Sequence, residues 1–270
     1  MGLYDLFKKK STSEKVLADV QTEQNLQPAE TQAKVAEPYL GDLEKTRTIY
    51  ELTKTQHSDR DAAWHEGFLQ NVSQASFKCG DPQVISGPDG YPYFQLFLPE
   101  LNQQFQCYVI DRMKDDFLLN LGYGVVINPI GEQPEWVFTY GDIVNLHVNH
   151  VFYTSEKTAF SKSAQDEVIR EKEEVLIGQP SEYILPVATR QVLSSFLQAQ
   201  GINTPKVVLM QRKDKTTNEI SQELLFNITP DNFANEEGYR AAVCHLAWFL
   251  SRHYAYAGMK ESALPEFEPL

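Results

Sequence analysis

The side chains with the chemistry for catalysis or metal binding fall in two short stretches. His147 and His150 are three residues apart, so a helix across Gly141–His150 sets them on one face. With Asp142 or a distant acid they make a partial metal set. A structural zinc site takes three or four ligands, and the HExxH pattern that would add a general base is missing. The expectation is therefore no metal and no cofactor, only two histidines near a helix end. The second stretch holds Asp111, Asp115 and Asp116 around Arg112 and Lys114. Paired carboxylates can do acid–base work or hold Mg²⁺. On a helix Asp111 and Asp115 face together while Asp116 turns away. A solvated charged face accounts for the cluster equally well, so no catalytic residue is assigned.

Other chemistry-bearing patterns are weaker. Cys79, Cys107 and Cys244 are odd in number, far apart and without a CxxC pair, so no disulfide framework is expected. Cys107, in a strand, and Cys244, in an apolar helix, read as buried free thiols. Gly122-Tyr123-Gly124 precedes an extended segment, the reverse of what a dinucleotide fingerprint needs. The aromatic stretches that include Tyr91, Tyr93, Trp136 and Tyr140 are the candidate binding residues. Such residues line ligand grooves, though they serve more often as core or cross-strand pairs.

The elements that must position these groups can be read from periodicity and punctuation. Leu43, Ile49, Tyr50 and Leu52 mark a first helix. Ser58 reads as the N-cap of a second, with Asp59 and Asp61 in its first turn. Extended segments follow at Pro82–Ser86, Tyr91–Leu98, Phe105–Ile110, Gly122–Asn128 and Trp136–Thr139. Gly87-Pro88-Asp89-Gly90 turns the chain between the first two. Asp111–Asn120 reads as a short helix. In the second half, Val175–Gly178 is a strand and Pro186–Gln200 a helix closed by Gly201. Lys206–Arg212 and Glu223–Ile228 form a hairpin, and Glu236–Tyr254 is the strongest helix, with an apolar stripe from Tyr239 to Leu250. No internal repeat is visible in the residues.

The expected fold is α+β, with two lobes that are each a mainly antiparallel sheet with packed helices, preceded by a flexible N-terminal segment. The expected divisions are 1–38, a short helix and linker; 39–160, a first α+β domain; and 170–270, a smaller β-α-β-β-α domain. The linker expectation rests on the polar, Gln/Glu/Ala-rich composition of 11–38. Leu3, Leu6 and Phe7 beside Lys8-Lys9-Lys10 could touch a membrane, but the segment is too short for a stable anchor.

Charge narrows the partners. The chain of 270 residues carries a net −13. Residues 41–166 hold 17 acidic and 9 basic side chains. Such a surface repels phosphate backbones, so nucleic acid is not expected, and a basic protein is the better-matched partner. The cysteine usage, with no leader-like apolar stretch, fits a cytoplasmic setting.

Val175-Leu176-Ile177-Gly178-Gln179-Pro180 opens a β-α-β unit whose second strand contains Val207-Val208-Leu209-Met210. This resembles the C-terminal domain of SseB-like proteins, the family named for enhanced serine sensitivity, over roughly the last third of the chain. The resemblance implies a cytoplasmic bacterial protein with a non-enzymatic role, and it brings no catalytic residue. The function expected is protein binding, in regulation, stress tolerance or toxin neutralisation. The alternative is a hydrolase or metal-dependent enzyme using His147, His150 and the carboxylates at 111–116.

Overall fold

The computed structural model describes residues 40–100, 103–131, 133–161 and 173–270. The expected N-terminal helix and linker, and residues 162–169 of the stretch between the two expected domains, lie outside these residues. The rest is α+β and holds two mixed, mainly antiparallel sheets.

The first half opens with α1 (Leu43–Leu52), capped by the Asp42 carboxylate on the Lys45 amide at 3.0 Å. Helix α2 (Ala62–Val72) follows. Its N-cap is Asp61, which accepts from the Trp64 amide at 2.8 Å. Ser58 is not the cap: it sits in a separate 3₁₀ turn and donates instead to Asp59. Strands β1 (Lys78–Ser86) and β2 (Pro92–Phe97) form a hairpin through the expected glycine turn, where Gly90 adopts φ +83°. Phe105–Ile110 is not a strand, because its one ladder contact is the isolated bridge between Phe77 and Tyr108. A composite helix comes next: α3 (Ile110–Met113), a π turn (Lys114–Leu118) and α4 (Leu119–Leu121), closed by Gly122 in the left-handed region. Strand β3 (Gly124–Ile127) returns parallel to β2, β4 (Trp136–Phe138) adds antiparallel to β3, and α5 (Tyr140–Asn149) ends the half.

The second half runs β5 (Glu173–Gly178), α6 (Val187–Ala199), β6 (Lys206–Asp214), β7 (Ile220–Phe226), α7 (Glu236–Phe249), β8 (Tyr256–Gly258) and β9 (Glu268–Pro269). Its sheet order is β5-β6-β7-β8, with β9 pairing β6 beyond the end of β5.

A repeat invisible in the residues appears in the connections. Each half contains a helix, an antiparallel hairpin, a second helix and a strand parallel to the hairpin's second strand. The five elements starting at Ala62, Lys78, Pro92, Ile110 and Gly124 match those starting at Val187, Lys206, Ile220, Glu236 and Tyr256, an offset of roughly 125 to 132 residues.

One continuous core runs through both halves, joining Tyr91, Phe138 and Tyr140 to Phe196, Leu246, Trp248 and Phe249. Helices α5 and α7 meet so closely that a Cβ on Gly141 would lie 2.1 Å from the Leu250 carbonyl oxygen, so only glycine fits there. The outer face of the second sheet carries a smaller cluster of Val208, Met210 and Leu225, covered by Phe267 near the C-terminus.

Candidate functional site

Three polar and aromatic assemblies take up the residues that the sequence singles out. The first is the seam between the halves. Tyr91 and Tyr93 on the β1–β2 hairpin are buried against α7. The Tyr91 ring stacks on Trp248 at 4.2 Å, and its hydroxyl is hydrogen-bonded to His245 Nδ1. Tyr93 donates to Asp89 at 2.5 Å and accepts from Trp248 Nε1 at 2.9 Å. Burial, reinforced by the Asp89 charge, pushes both phenols well above the usual tyrosine range. Tyr140 is fully buried and donates to the Leu119 carbonyl at 3.0 Å. These three candidate binding residues are therefore core, placed there because α7 needs an aromatic floor for its stripe. Trp136 is half-buried. It packs against the stacked pair of Trp64 and Phe68 and donates to the Tyr153 hydroxyl at 3.1 Å. Trp248 and His245, which complete this assembly, are distant in sequence from the tyrosines, and only the stripe of α7 hints at the first.

The second assembly begins at the N-terminus of α5. Thr139 and Asp142 form a capping box, and Asp142 is wholly buried. Arg252, just beyond α7, holds both Asp142 oxygens at 2.7 and 2.8 Å and lies 4.4 Å from the centre of the Tyr153 ring. The Tyr153 phenol is pushed up to about 12 by burial and the Asp142 charge. Asp142 is thus committed to a cap and an arginine, and it joins neither histidine.

The third assembly lies at the other end of α5. His147 Nδ1 is 2.7 Å from Asp115 Oδ1. A carboxylate only accepts, so Nδ1 carries the proton and a neutral ring presents Nε2 as a base. The second Asp115 oxygen takes the buried Lys114 ammonium at 2.8 Å. Lys114 also donates to the Asp111 carbonyl at 2.7 Å and pairs with its carboxylate at 3.1 Å. The π turn is what brings Lys114 inward and Asp115 toward α5. Burial works against the Asp115 charge, but the hydrogen bonds from Lys114 and His147 outweigh it and hold the carboxyl below its ordinary value. Asp116 is exposed.

His150 does not join this group. It caps α5 with φ +59°, in the left-handed region, so the three-residue helical spacing no longer sets its direction. It lines a groove of about 700 Å³ between α1 and α2 on one side and the turn after α5 on the other. Leu69, Leu146, Val151 and Phe152 supply apolar surface there, while Lys45, Glu66, Gln70 and Gln74 supply polar groups. Among the described residues no group of three or more histidine, cysteine or acidic side chains could hold a metal ion. No helix of the described residues is long and apolar enough to cross a membrane. Cys244 is exposed rather than buried, because it lies off the stripe of α7, and Cys107 is half-buried outside any strand.

The Gly178-Gln179-Pro180 corner has a structural task. Gln179 donates to the carbonyls of Val207 and Glu266 at 3.3 and 3.0 Å, tying the end of β5 to β6 and to the approach to β9. Compared with protein-family models, curated proteins and solved structures, the chain matches none.

Proposed function

We propose that this protein acts in the cytoplasm as a non-enzymatic binding protein, and that the groove between α1, α2 and the turn after α5 takes an apolar-and-basic segment of a regulatory partner. The observation that carries this reading is the groove itself, with apolar side chains beside polar ones, on the more acidic half of the chain. Apolar contacts give such an interface its affinity, and the surrounding charge speeds encounter with a basic partner.

Val151 is exposed in the groove and Ile130 is an exposed apolar residue elsewhere, so both can be changed without emptying the core. Partners captured by the wild-type chain should be retained by Ile130→Asp and lost at least about tenfold with Val151→Asp, a change of roughly 1.4 kcal/mol. Equal capture by both variants would remove the groove from the reading.

A second reading has one specific observation behind it: the Asp115–His147 contact has the form of an oriented general base. A panel of aryl esters and phosphates decides this. Turnover by the wild type that disappears in His147→Ala would favour the hydrolase.

A further inference from the structure

Two sheets present four edges among the described residues, and three of them are poor templates for another strand. β1 breaks register between Cys79 and Val84 and contains Pro82, which has no amide hydrogen to offer. β4 and β8 are three residues long. β5 differs. It pairs residue for residue with β6 from Glu173↔Asp214 to Gly178↔Leu209, without a bulge. Its centre is the aliphatic run Val175-Leu176-Ile177, with no proline or lysine in the strand. Leu176, in the middle, is 57% exposed. A regular aliphatic edge of this kind is a template for strand addition.

We infer that β5 is a self-association edge, on which a second copy of this chain adds antiparallel about a two-fold axis through Leu176, joining the two β5-containing sheets into one. The two-fold keeps each sheet face continuous, so opposed residues must point to the same face and the axis must pass through a residue; three such centres lie in the aliphatic run. Centring on Val175 sets Glu174 against Leu176 of the other copy. Centring on Ile177 sets Glu174 against Pro180, which cannot donate. Centring on Leu176 buries the exposed leucine against itself and pairs Val175 with Ile177, extending the outer-face cluster of Val208, Met210 and Leu225. It also places Glu174 opposite Gly178, where no side chain competes and no like charge faces it.

This inference is independent of the groove, and salt separates the two. Each copy carries −13, so screening should strengthen the dimer. The same screening should slow association with a basic partner.

Sedimentation across a concentration series tests the edge. The expected mass rises toward twice the 30.8 kDa of the chain, with more dimer at higher salt. Leu176→Lys, which sets two like charges on the axis, should stay monomeric with an unchanged thermal melt. In the unaltered chain, amide exchange within 174–178 should slow as concentration rises. A monomer at every concentration overturns the inference. So does a dimer that survives Leu176→Lys, or protection of β5 only after another protein is added.

Discussion

The two halves share one order of elements and use it differently. The helix between hairpin and parallel strand shows this most clearly. In the second half it is α7, a regular helix that drives Leu246, Trp248 and Phe249 into the common core. In the first half the matching segment is broken by a π turn, which buries Lys114 and brings Asp115 to His147 near the surface. The hairpins differ as well: β1 is an edge of its sheet, whereas its counterpart β6 is covered by β5 and β9. Repetition of connectivity thus fixes where elements lie, while the choice of side chains decides which copy builds the interior and which builds a polar surface. If that contrast is right, substitutions in α7 should cost far more than those around the π turn.

The largest effect is expected at Trp248. Its indole stacks on Tyr91, donates to Tyr93 and touches Phe249, so truncation empties the seam that both halves share. Trp248→Ala should destabilise by about 3–5 kcal/mol, the usual cost for an aromatic removed from a core. Because the core is continuous, chemical denaturation followed by probes in each half should still give one transition, shifted for both. A loss confined to a probe in the second half would mean that the halves unfold separately.

Arg252 comes next. Its carboxylate partner is wholly buried, while the arginine side chain is 57% exposed. Removing the arginine leaves the Asp142 charge inside with only its cap. Removing the aspartate lets the arginine turn to water. Breaking a buried pair costs about 3–5 kcal/mol when a charge is stranded, and the exposed partner argues for the lower end, near 3 kcal/mol for Arg252→Ala. Asp142→Asn, which keeps a capping oxygen, should cost less. Reversal of that order in urea denaturation would show that the Asp142 charge is not stranded when the arginine is removed.

Local signals carried much of this fold and almost none of the long-range pairing. Gly87–Gly90, Pro186 and Gly201 are punctuation whose backbone demands are local, and each stands at the expected turn or helix end. Ser58 and Asp61 are both good caps for the second helix start, and only the fold decides between them. Strands β8 and β9 are too short to show a period of two. Asp142 and Arg252 meet across 110 positions of sequence, and nothing in the local pattern of either residue names the other. The same holds for Tyr91 and Trp248. For His147 and Asp115 the residue types were visible as candidates, but their contact needed the π turn, which no periodicity announces.

The smallest effect should lie at the π turn itself. The His147 and Asp115 side chains are 39% and 51% exposed, and a polar pair at such a surface contributes about 0.2–1 kcal/mol. His147→Ala should cost no more than that near neutral pH. The sign of its pH dependence follows from the lowered Asp115 carboxyl. In an unfolded chain that group titrates near about 3.9, so its contribution is fully present above that value and is lost as pH falls through the lower folded value. His147→Ala removes one of the two hydrogen bonds that hold the carboxyl down, so its titration should move up toward the ordinary value. The Lys114 contact remains and keeps the movement partial. Carboxyl titration by NMR reads this directly, apart from any change in overall stability. An Asp115 curve unmoved by His147→Ala would show that Lys114 alone sets the charge, and that the histidine only rests against it.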